Sequence, residues 1–290
     1  MTLPHESRSF VQKVVDLYIY SSMHIGLCAL SLTLFYQLAL GKEFNTDYLI
    51  CLFFATIALY NLHRLVGIAK VKAFNSKGRF KIIVLYKSHI SFYFILAFIF
   101  ATYYFLQLAL QMQILLAAVS LISGAYTLPI YKGHRLRDLP YIKIILIAFS
   151  WTLLCLNIPM YNQSTVFEHI AIAVPCLLFF IGITIPFDIR DLEVDKSLGV
   201  KTVATRFGRI FSIRFAFSLL ILSAGIGLGL FFLQLFELST TITWITINLL
   251  TIIYLHRFHD KVNDWYFSLG LDGMIGLFYP TILLIQALIG

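Results

Sequence analysis

The sequence predicts an all-α membrane protein built as a bundle of nine transmembrane helices. Of the 290 residues, 60% are hydrophobic and only 12% are charged, and the mean hydropathy is +0.86. A soluble protein cannot hide that much apolar surface in one core, so lipid is the expected solvent. Phe and Tyr are abundant whereas Gly is unremarkable, which favours helices over a lipid-facing barrel of alternating residues.

Nine apolar segments of about 20 residues, the length of a membrane-crossing helix, follow one another along the chain. We predict helices over 14–40, 47–66, 86–108, 111–130, 141–160, 166–187, 210–235, 239–256 and 266–289. No stretch between them is long enough for a second folded unit, so residues 1–290 are expected to form a single polytopic transmembrane domain. The functional side of this domain is expected at the loops 61–85, 131–143, 188–209 and 257–265.

The basic residues lie almost entirely on one side of the predicted bundle. Of the 22 lysines and arginines, 21 fall in the N-terminal arm or in the loops after helices 2, 4, 6 and 8, and only Lys42 is left for the other side. Positive loops stay in the cytoplasm. We therefore predict a multi-pass protein of the bacterial inner or plasma membrane, with a cytoplasmic N-terminus and an external C-terminus. The net charge of +8 then reflects topology and not nucleic-acid binding.

The most informative stretch is DIRDLEVDKSLGVKTVATRFG, residues 188–208, directly after the sixth predicted helix. If the helix continues, Asp188, Asp191 and Asp195 share one face at i, i+3 and i+7. Three carboxylates on one face repel each other unless a cation lies between them, and such oxygen ligands suit Mg²⁺ bridged to a phosphate. Lys201 could hold the same phosphate oxygens. The alternative is a charged loop that solvates two helix ends.

The run D-x-x-D-x-x-x-D followed by G-V-K-T and F-G resembles the second aspartate-rich motif of the UbiA superfamily of intramembrane prenyltransferases. The resemblance implies a UbiA-like bundle that transfers a prenyl group from a polyisoprenyl diphosphate to a lipophilic, usually aromatic, acceptor. It also implies that Asp188, Asp191 and Asp195 are catalytic residues that bind Mg²⁺ and, through it, the diphosphate.

The first aspartate-rich motif of that family, N-x-x-x-D-x-x-x-D on helix 2, is degenerate in this chain. Asn61 matches its leading residue and is by that match a candidate for diphosphate binding. Leu65 and Ala69 stand at the two positions where the family has aspartates. One aspartate cluster alone is a poor site for the two metal ions that a paired site can hold.

Other side chains are candidates to replace the missing aspartates, because no acid occurs between positions 48 and 80. Arg64 could grip a diphosphate oxygen without metal, and His63 could act as a neutral donor or base. The alternative is that both residues mark the membrane boundary. Asp272 lies inside the apolar ninth helix, where a carboxylate is costly unless it is paired or faces a polar cavity. It either compensates for the missing acids or pairs with a cation such as Arg64.

Further diphosphate-binding candidates lie where helix 4 ends. The stretch from Tyr126 onward resembles the family's Y-x-x-P followed by basic residues. The resemblance implies that Tyr126 faces the bundle and that Lys132 and Arg135 lie beside the diphosphate. Lys143, at the start of helix 5, matches a lysine that is common in the family. The alternative is a loop whose charges only orient the protein.

These features predict a prenyltransferase with Mg²⁺ as cofactor. Its partners would be a polyisoprenyl diphosphate, a lipophilic acceptor and membrane lipid, with no nucleic acid. The degenerate first motif leaves open a relative that binds prenyl lipid or diphosphate without prenyl transfer. A transporter has less support, because the polar residues gather at one surface. The sequence identifies neither the acceptor nor the prenyl chain length.

Overall fold

The computed structural model describes residues 9–70, 78–128, 135–258 and 264–289, and no strand occurs among them. The helices are α1 (Phe10–Tyr20), α2 (Met23–Ala39), α3 (Thr46–Lys70), α4 (Gly78–Leu85), α5 (Lys87–Gln107), α6 (Leu110–Thr127), α7 (Ile142–Thr152), α8 (Val166–Arg190), α9 (Leu192–Ser197), α10 (Val203–Phe232), α11 (Leu238–His256), α12 (Asp272–Gly276) and α13 (Phe278–Ile289). A 3-10 turn at Leu136–Asp138 and π-helical stretches at Leu153–Asn157 and Tyr266–Leu271 accompany them.

The long apolar helices confirm an all-α, multi-pass integral membrane protein. Within the described residues, six helices are long and apolar enough to cross a membrane, namely α3, α5, α6, α8, α10 and α11. Two bent pairs bring the number to as many as eight: α1 with α2, bent by 58°, and Tyr266–Gly276 with α13, bent by 43°. The predicted fifth span, 141–160, is a shorter apolar helix at Ile142–Asn157. The count of nine spans therefore stays a prediction.

The predicted first helix, 14–40, is broken in the structure. Ser22 adopts a left-handed conformation with φ of 65°, which separates α1 from α2. Asn61 on α3 donates from Nδ2 to the Ser21 carbonyl at 3.0 Å and accepts from the Ser22 hydroxyl at 2.8 Å. These bonds satisfy backbone and side-chain groups at a buried break in the helical ladder. The sequence of the first helix does not show the bend, because its partner lies on another helix.

The acidic segment after α8 folds as a short helix followed by a capped helix start. The Asp195 amide donates to the Asp191 carbonyl at 2.8 Å, so helical hydrogen bonding continues from α8 into α9. Thr202 then caps α10, because its hydroxyl accepts from the Thr205 amide at 3.1 Å. Gly208, with φ of 78°, forms a kink near the start of α10. The later residues of the motif thus shape the next span, whereas its aspartates lie at the end of the previous one.

Trp244 lies at the centre of the buried aromatic core. Its ring is fully buried and packs on Phe278 with centroids 5.1 Å apart, and its Nε1 donates to the Ser223 carbonyl at 3.1 Å. The backbone of α10 approaches this ring closely, since a Cβ added at Gly227 would lie 2.3 Å from Trp244 Cδ1. Glycine at this position therefore permits the contact between α10 and α11.

Gly227→Ala is expected to destabilise the protein by about 1–3 kcal/mol, because overpacking forces Trp244 out of its position. Gly225→Ala is the matched control on the same helix, since a Cβ there meets nothing within 4 Å. The control should not lower stability, because alanine favours helix over glycine. Thermal unfolding of the purified protein in detergent, followed by intrinsic fluorescence, compares the two variants. Equal melting temperatures would contradict the close contact.

Candidate functional site

A cavity of about 290 Å³ opens among the helix ends that carry the predicted site. Its wall is formed by the C-terminal parts of α3, α6 and α8, by one side of α7, and by residues of α1, α2, α4, α9 and α12. Five basic and four acidic side chains of the described residues line it, together with aromatic and aliphatic side chains. A charged region and an apolar region therefore share one cavity.

The structure brings together most of the predicted site residues at this cavity. Those that line it are Arg64, Tyr126, Arg135, Asp191, Asp195 and Asp272. Asn61, Asp188 and Lys201 do not line it. Lys132 lies outside the described residues.

Lys143 lies among the three aspartates of the acidic segment. Its Nζ is 2.8 Å from Asp188 Oδ1, 3.2 Å from Asp195 Oδ2 and 3.9 Å from Asp191 Oδ2. All four side chains are at most 10% exposed. The carboxylates therefore share one face, as the spacing predicts, and the cation between them is an ammonium group of the protein itself.

Asp188 lies deepest in this acidic cluster, which comprises Asp188, Asp191 and Asp195. Its side chain is 1% exposed, and neither of its oxygens accepts a hydrogen bond of normal geometry from the described residues. The ion pair with Lys143 still holds, because the Coulomb attraction at 2.8 Å does not depend on the direction of an N–H bond. Asp188 thus contacts Lys143, which lines the cavity, and does not line the cavity itself. Its roles in catalysis and metal binding stay predictions.

Arg190 is a second cation beside the acidic cluster, and we did not predict it. Its Nε donates to Asp191 Oδ1 at 2.9 Å. Its guanidinium lies over the rings of Phe187 and Phe267, 4.9 Å from each centroid. The position of Arg190 directly before Asp191 in the motif was the available signal, but a neighbour in a helix normally points to a different face. Because α8 ends at Arg190, the Arg190 side chain can reach the carboxylate of Asp191.

Arg64 occupies the part of the wall where the first aspartate motif would lie. Its Nη1 donates to the Ile19 carbonyl and to the Ser22 hydroxyl, both at 2.9 Å, and its guanidinium lies 5.3 Å from the centroid of Tyr20. Asn61 is fully buried and bonds to the same helix break. Diphosphate binding by Asn61 stays a prediction. The hydrogen bonds of Asn61 to Ser21 and Ser22 hold the helix break, and Arg64 donates to the same Ser22 hydroxyl.

His63, Tyr126 and Arg137 form a further polar group in the wall. Arg137 donates to Nε2 of His63 and lies 5.2 Å above the Tyr126 ring, while the rings of His63 and Tyr126 stack with centroids 6.0 Å apart. Burial opposes the charge of Arg137, but Tyr126, Asp191 and Asp195 outweigh it and raise the pKa of the guanidinium. From the sequence we assigned Arg137 only to the basic residues that orient the protein in the membrane, and we did not predict its place in the cavity wall.

Arg135, after α6, and Lys201, before α10, differ in their position relative to the cavity. Arg135 lines it and pairs with Asp138, with Nη2 2.9 Å from Oδ1. Lys201 is exposed, and its carbonyl accepts from the Tyr141 amide at 2.9 Å. Phosphate binding by Lys201 stays a prediction, and it requires the long side chain to turn toward the cavity.

Asp272 begins α12 and places a carboxylate in the cavity wall. Its carbonyl accepts a hydrogen bond from the Cys28 thiol at 3.2 Å. Its side chain interacts electrostatically with Arg190 and with Arg64. The positive charges of these two arginines lower the cost of a carboxylate inside an apolar helix.

Mg²⁺ fits two of the three motif aspartates. Among the described residues no group of three or more His, Cys, Asp or Glu side chains could hold a metal ion by itself, and Asp188 is turned to Lys143. Asp191 and Asp195 line the cavity. Because Mg²⁺ is commonly held by one or two carboxylates together with waters and substrate phosphates, the oxygens of these two aspartates suit it once a diphosphate supplies further ligands.

Apolar and aromatic side chains form much of the remaining wall. Trp151 and Phe180 stack with centroids 5.1 Å apart, and Tyr60, Ile147 and Ile183 lie beside them in the lining. A hydrocarbon chain would find a water-poor surface here, in the same cavity as the charged groups. The cavity is therefore suited to a molecule with an anionic head and a greasy tail.

Comparisons with known proteins agree with this arrangement. The fold is similar to that of a UbiA homolog from Archaeoglobus fulgidus bound to GPP and Mg²⁺, with a TM-score of 0.68 and 14% identity over 94% of this chain and 99% of that chain. It is also similar to the apo structure of a UbiA homolog from Aeropyrum pernix K1, with a TM-score of 0.67 and 11% identity over 92% and 98%. A structure of digeranylgeranylglyceryl phosphate synthase gives a TM-score of 0.56 and 16% identity over 96% and 98%.

The family assignment rests on the sequence itself. No curated protein sequence matches the chain. The sequence model of the UbiA prenyltransferase family, in contrast, matches residues 85–265, which is more than half of the chain. The chain therefore belongs to the UbiA prenyltransferase family.

Proposed function

We propose that the protein is an intramembrane prenyltransferase that moves a prenyl group from a polyisoprenyl diphosphate to a lipophilic, aromatic acceptor. The observation that carries the proposal is the cavity, in which a cluster of carboxylates and arginines lies directly beside an aromatic, apolar wall. The Archaeoglobus fulgidus homologue of the same fold is solved with GPP and Mg²⁺ and with DMAPP and Mg²⁺, which supports a prenyl diphosphate and Mg²⁺ as ligands.

In this proposal the diphosphate lies at the charged end of the cavity. Arg64 and Arg137 neutralise its oxygens, because a guanidinium presents several donors in a fixed fork. Asp191 and Asp195 hold Mg²⁺, which when bound would stabilise the charge that develops on the leaving diphosphate. Asp188 keeps Lys143 in place, and Tyr126 orients the Arg137 side of the wall. Lys132, Arg135 and Lys201 remain candidates for further phosphate contacts.

The reaction would break the bond between the first prenyl carbon and the diphosphate oxygen, with both electrons leaving on the oxygen. The allylic cation is then shielded from water by the bundle and stabilised by the faces of Trp151 and Phe180. An electron-rich carbon of the acceptor forms the new bond, and its ring afterwards releases a proton, which an oxygen of the released diphosphate can accept. The acidic residues thus act on the leaving group, while the aromatic wall protects the cation.

A second candidate function is a relative that binds prenyl diphosphate without transferring the prenyl group. It is favoured by the replacement of both expected first-motif acids by Leu65 and Ala69. The two functions differ in turnover. In proteoliposomes with labelled geranylgeranyl diphosphate and a lipid extract of the source cells, a transferase yields a labelled lipid and free diphosphate, and chelation of Mg²⁺ stops both. Retention of intact labelled diphosphate at all Mg²⁺ concentrations would favour the binding protein.

We also propose a cytoplasmic N-terminus in the bacterial inner or plasma membrane, on the strength of the charge asymmetry. Lys42, the one basic residue assigned to the outer side, follows α2 and hydrogen-bonds to Gln163, which precedes α8. A cysteine introduced for the exposed Glu43 should react with an impermeant maleimide added to intact cells. A cysteine introduced for the exposed Lys81 should react only after the membrane is opened, and the reverse pattern would contradict this orientation.

A further inference from the structure

The cations already present in the cavity wall limit how many metal ions a bound diphosphate needs. We propose that this protein binds its diphosphate with one divalent cation, and that Lys143 and the guanidinium groups of the wall take the place of a second one. This inference rests on the proposed function and concerns the same cavity. It follows from three features of the charged wall.

The first feature is the state of the acidic cluster. Lys143 contacts all three carboxylates within 3.9 Å, and Arg190 contacts Asp191 at 2.9 Å. Arg137 lines the same cavity and interacts electrostatically with Asp191 and Asp195, so the three carboxylates face one ammonium and two guanidinium groups. A divalent cation therefore gains little from the cluster until a diphosphate adds its own negative charge, which one divalent cation and Arg64 together largely balance.

The second feature is the opposite wall. The positions where the family has the first-motif aspartates are Leu65 and Ala69, and neither can bind a cation. Arg64 of α3 lines the cavity instead, and its guanidinium brings a positive charge where the family has metal-binding carboxylates. A diphosphate between the acidic cluster and Arg64 therefore meets a fixed positive group on the side of α3.

The third feature concerns the remaining acids of the wall. Asp264 and Asp272 both interact electrostatically with Arg190, and Asp272 interacts with Arg64 as well. The positive charge of Arg190 opposes the approach of a divalent ion to either carboxylate. Arg190 is itself held by Asp191 at 2.9 Å and by contact with the rings of Phe187 and Phe267. Among the described residues, the wall thus offers no second set of carboxylates that is ready for metal.

The test counts metal ions per bound diphosphate. Purified protein is dialysed against Mn²⁺, which replaces Mg²⁺ and is visible by electron paramagnetic resonance, with and without labelled inorganic diphosphate. We expect one Mn²⁺ per bound diphosphate at saturation, and at least ten-fold weaker Mn²⁺ binding when diphosphate is absent. Two Mn²⁺ per diphosphate would overturn the inference and leave the proposed function standing. Absence of diphosphate binding at every Mn²⁺ concentration would overturn both.

A variant tests the role of Lys143 separately. Lys143→Met exposes three carboxylates without their ammonium, so Mn²⁺ should bind at least ten-fold more tightly in the absence of diphosphate and the stoichiometry with diphosphate should rise to two. Lys81→Met, at an exposed position of α4, is the control and should behave as the unaltered protein. Unchanged Mn²⁺ affinity and stoichiometry in folded Lys143→Met would overturn the role of Lys143. If that variant does not fold, the stoichiometry of the unaltered protein decides.

Discussion

Replacement of Asp195 by Asn is expected to lower the rate of prenyl transfer by about 10²–10³-fold, the usual loss when one group that stabilises transition-state charge is removed. Asp195 lines the cavity and lies 3.2 Å from Lys143, so the change removes a negative charge and one oxygen ligand for Mg²⁺ while it keeps the size of the side chain. The rate of labelled lipid formation in proteoliposomes measures the effect.

Glu193 provides a matched control for this change. It lies on the same short helix, α9, and is exposed outside the cavity lining. Glu193→Gln removes an equal charge two residues away, so it should leave the rate within about two-fold, because exposed charges interact weakly through water. Equal activity of the two variants would show that the acidic cluster does not take part in the reaction.

Replacement of Lys143 by Met is expected to destabilise the metal-free protein by about 3–5 kcal/mol, because it leaves buried carboxylates without their cation. The apparent melting temperature in detergent with chelator should fall by roughly 10 °C, given the usual relation between free energy and melting temperature for a chain of this size. Lys143 is 6% exposed in its side chain and Asp188 only 1%, so water cannot take over the lost contacts.

A double substitution distinguishes charge from packing at this position. Adding Asp188→Asn to Lys143→Met removes the deepest of the uncompensated charges, and it should recover part of the lost melting temperature. Loss of methylene packing alone would not be reversed by a change on Asp188. A single variant as stable as the unaltered protein would show that the three carboxylates do not depend on Lys143.

The sequence was sufficient for the family, for the all-helical membrane architecture and for the segment that carries the acidic cluster. Hydrophobic runs of span length and the spacing of Asp188, Asp191 and Asp195 are local signals, so they can be read without knowledge of packing. The polar wall depends on contacts between helices instead. Arg137 reaches His63, and Lys143 reaches Asp195, across long separations in the chain. Neither contact leaves a periodic trace in the sequence.

The degenerate first aspartate motif also shows what the sequence alone does not reveal. The sequence shows that Leu65 and Ala69 replace acids, but it does not show what stands in the wall instead. The structure places Arg64 there and shows that Asn61, which matches the motif, holds a helix break through Ser21 and Ser22. A residue that matches a binding motif can thus have a structural role, in this case holding a helix break by hydrogen bonds.

The broken first helix links the N-terminus of the protein to the state of its cavity. Arg64, a guanidinium of the wall, also anchors the last turn of α1 through the Ile19 carbonyl. Trp265 fastens the same helix by donating to Asp16 at 3.1 Å. An anion that attracted this guanidinium would compete with its bond to Ile19, so we expect binding in the cavity to weaken the attachment of α1. The position of the N-terminal helix is therefore expected to depend on whether the cavity is occupied.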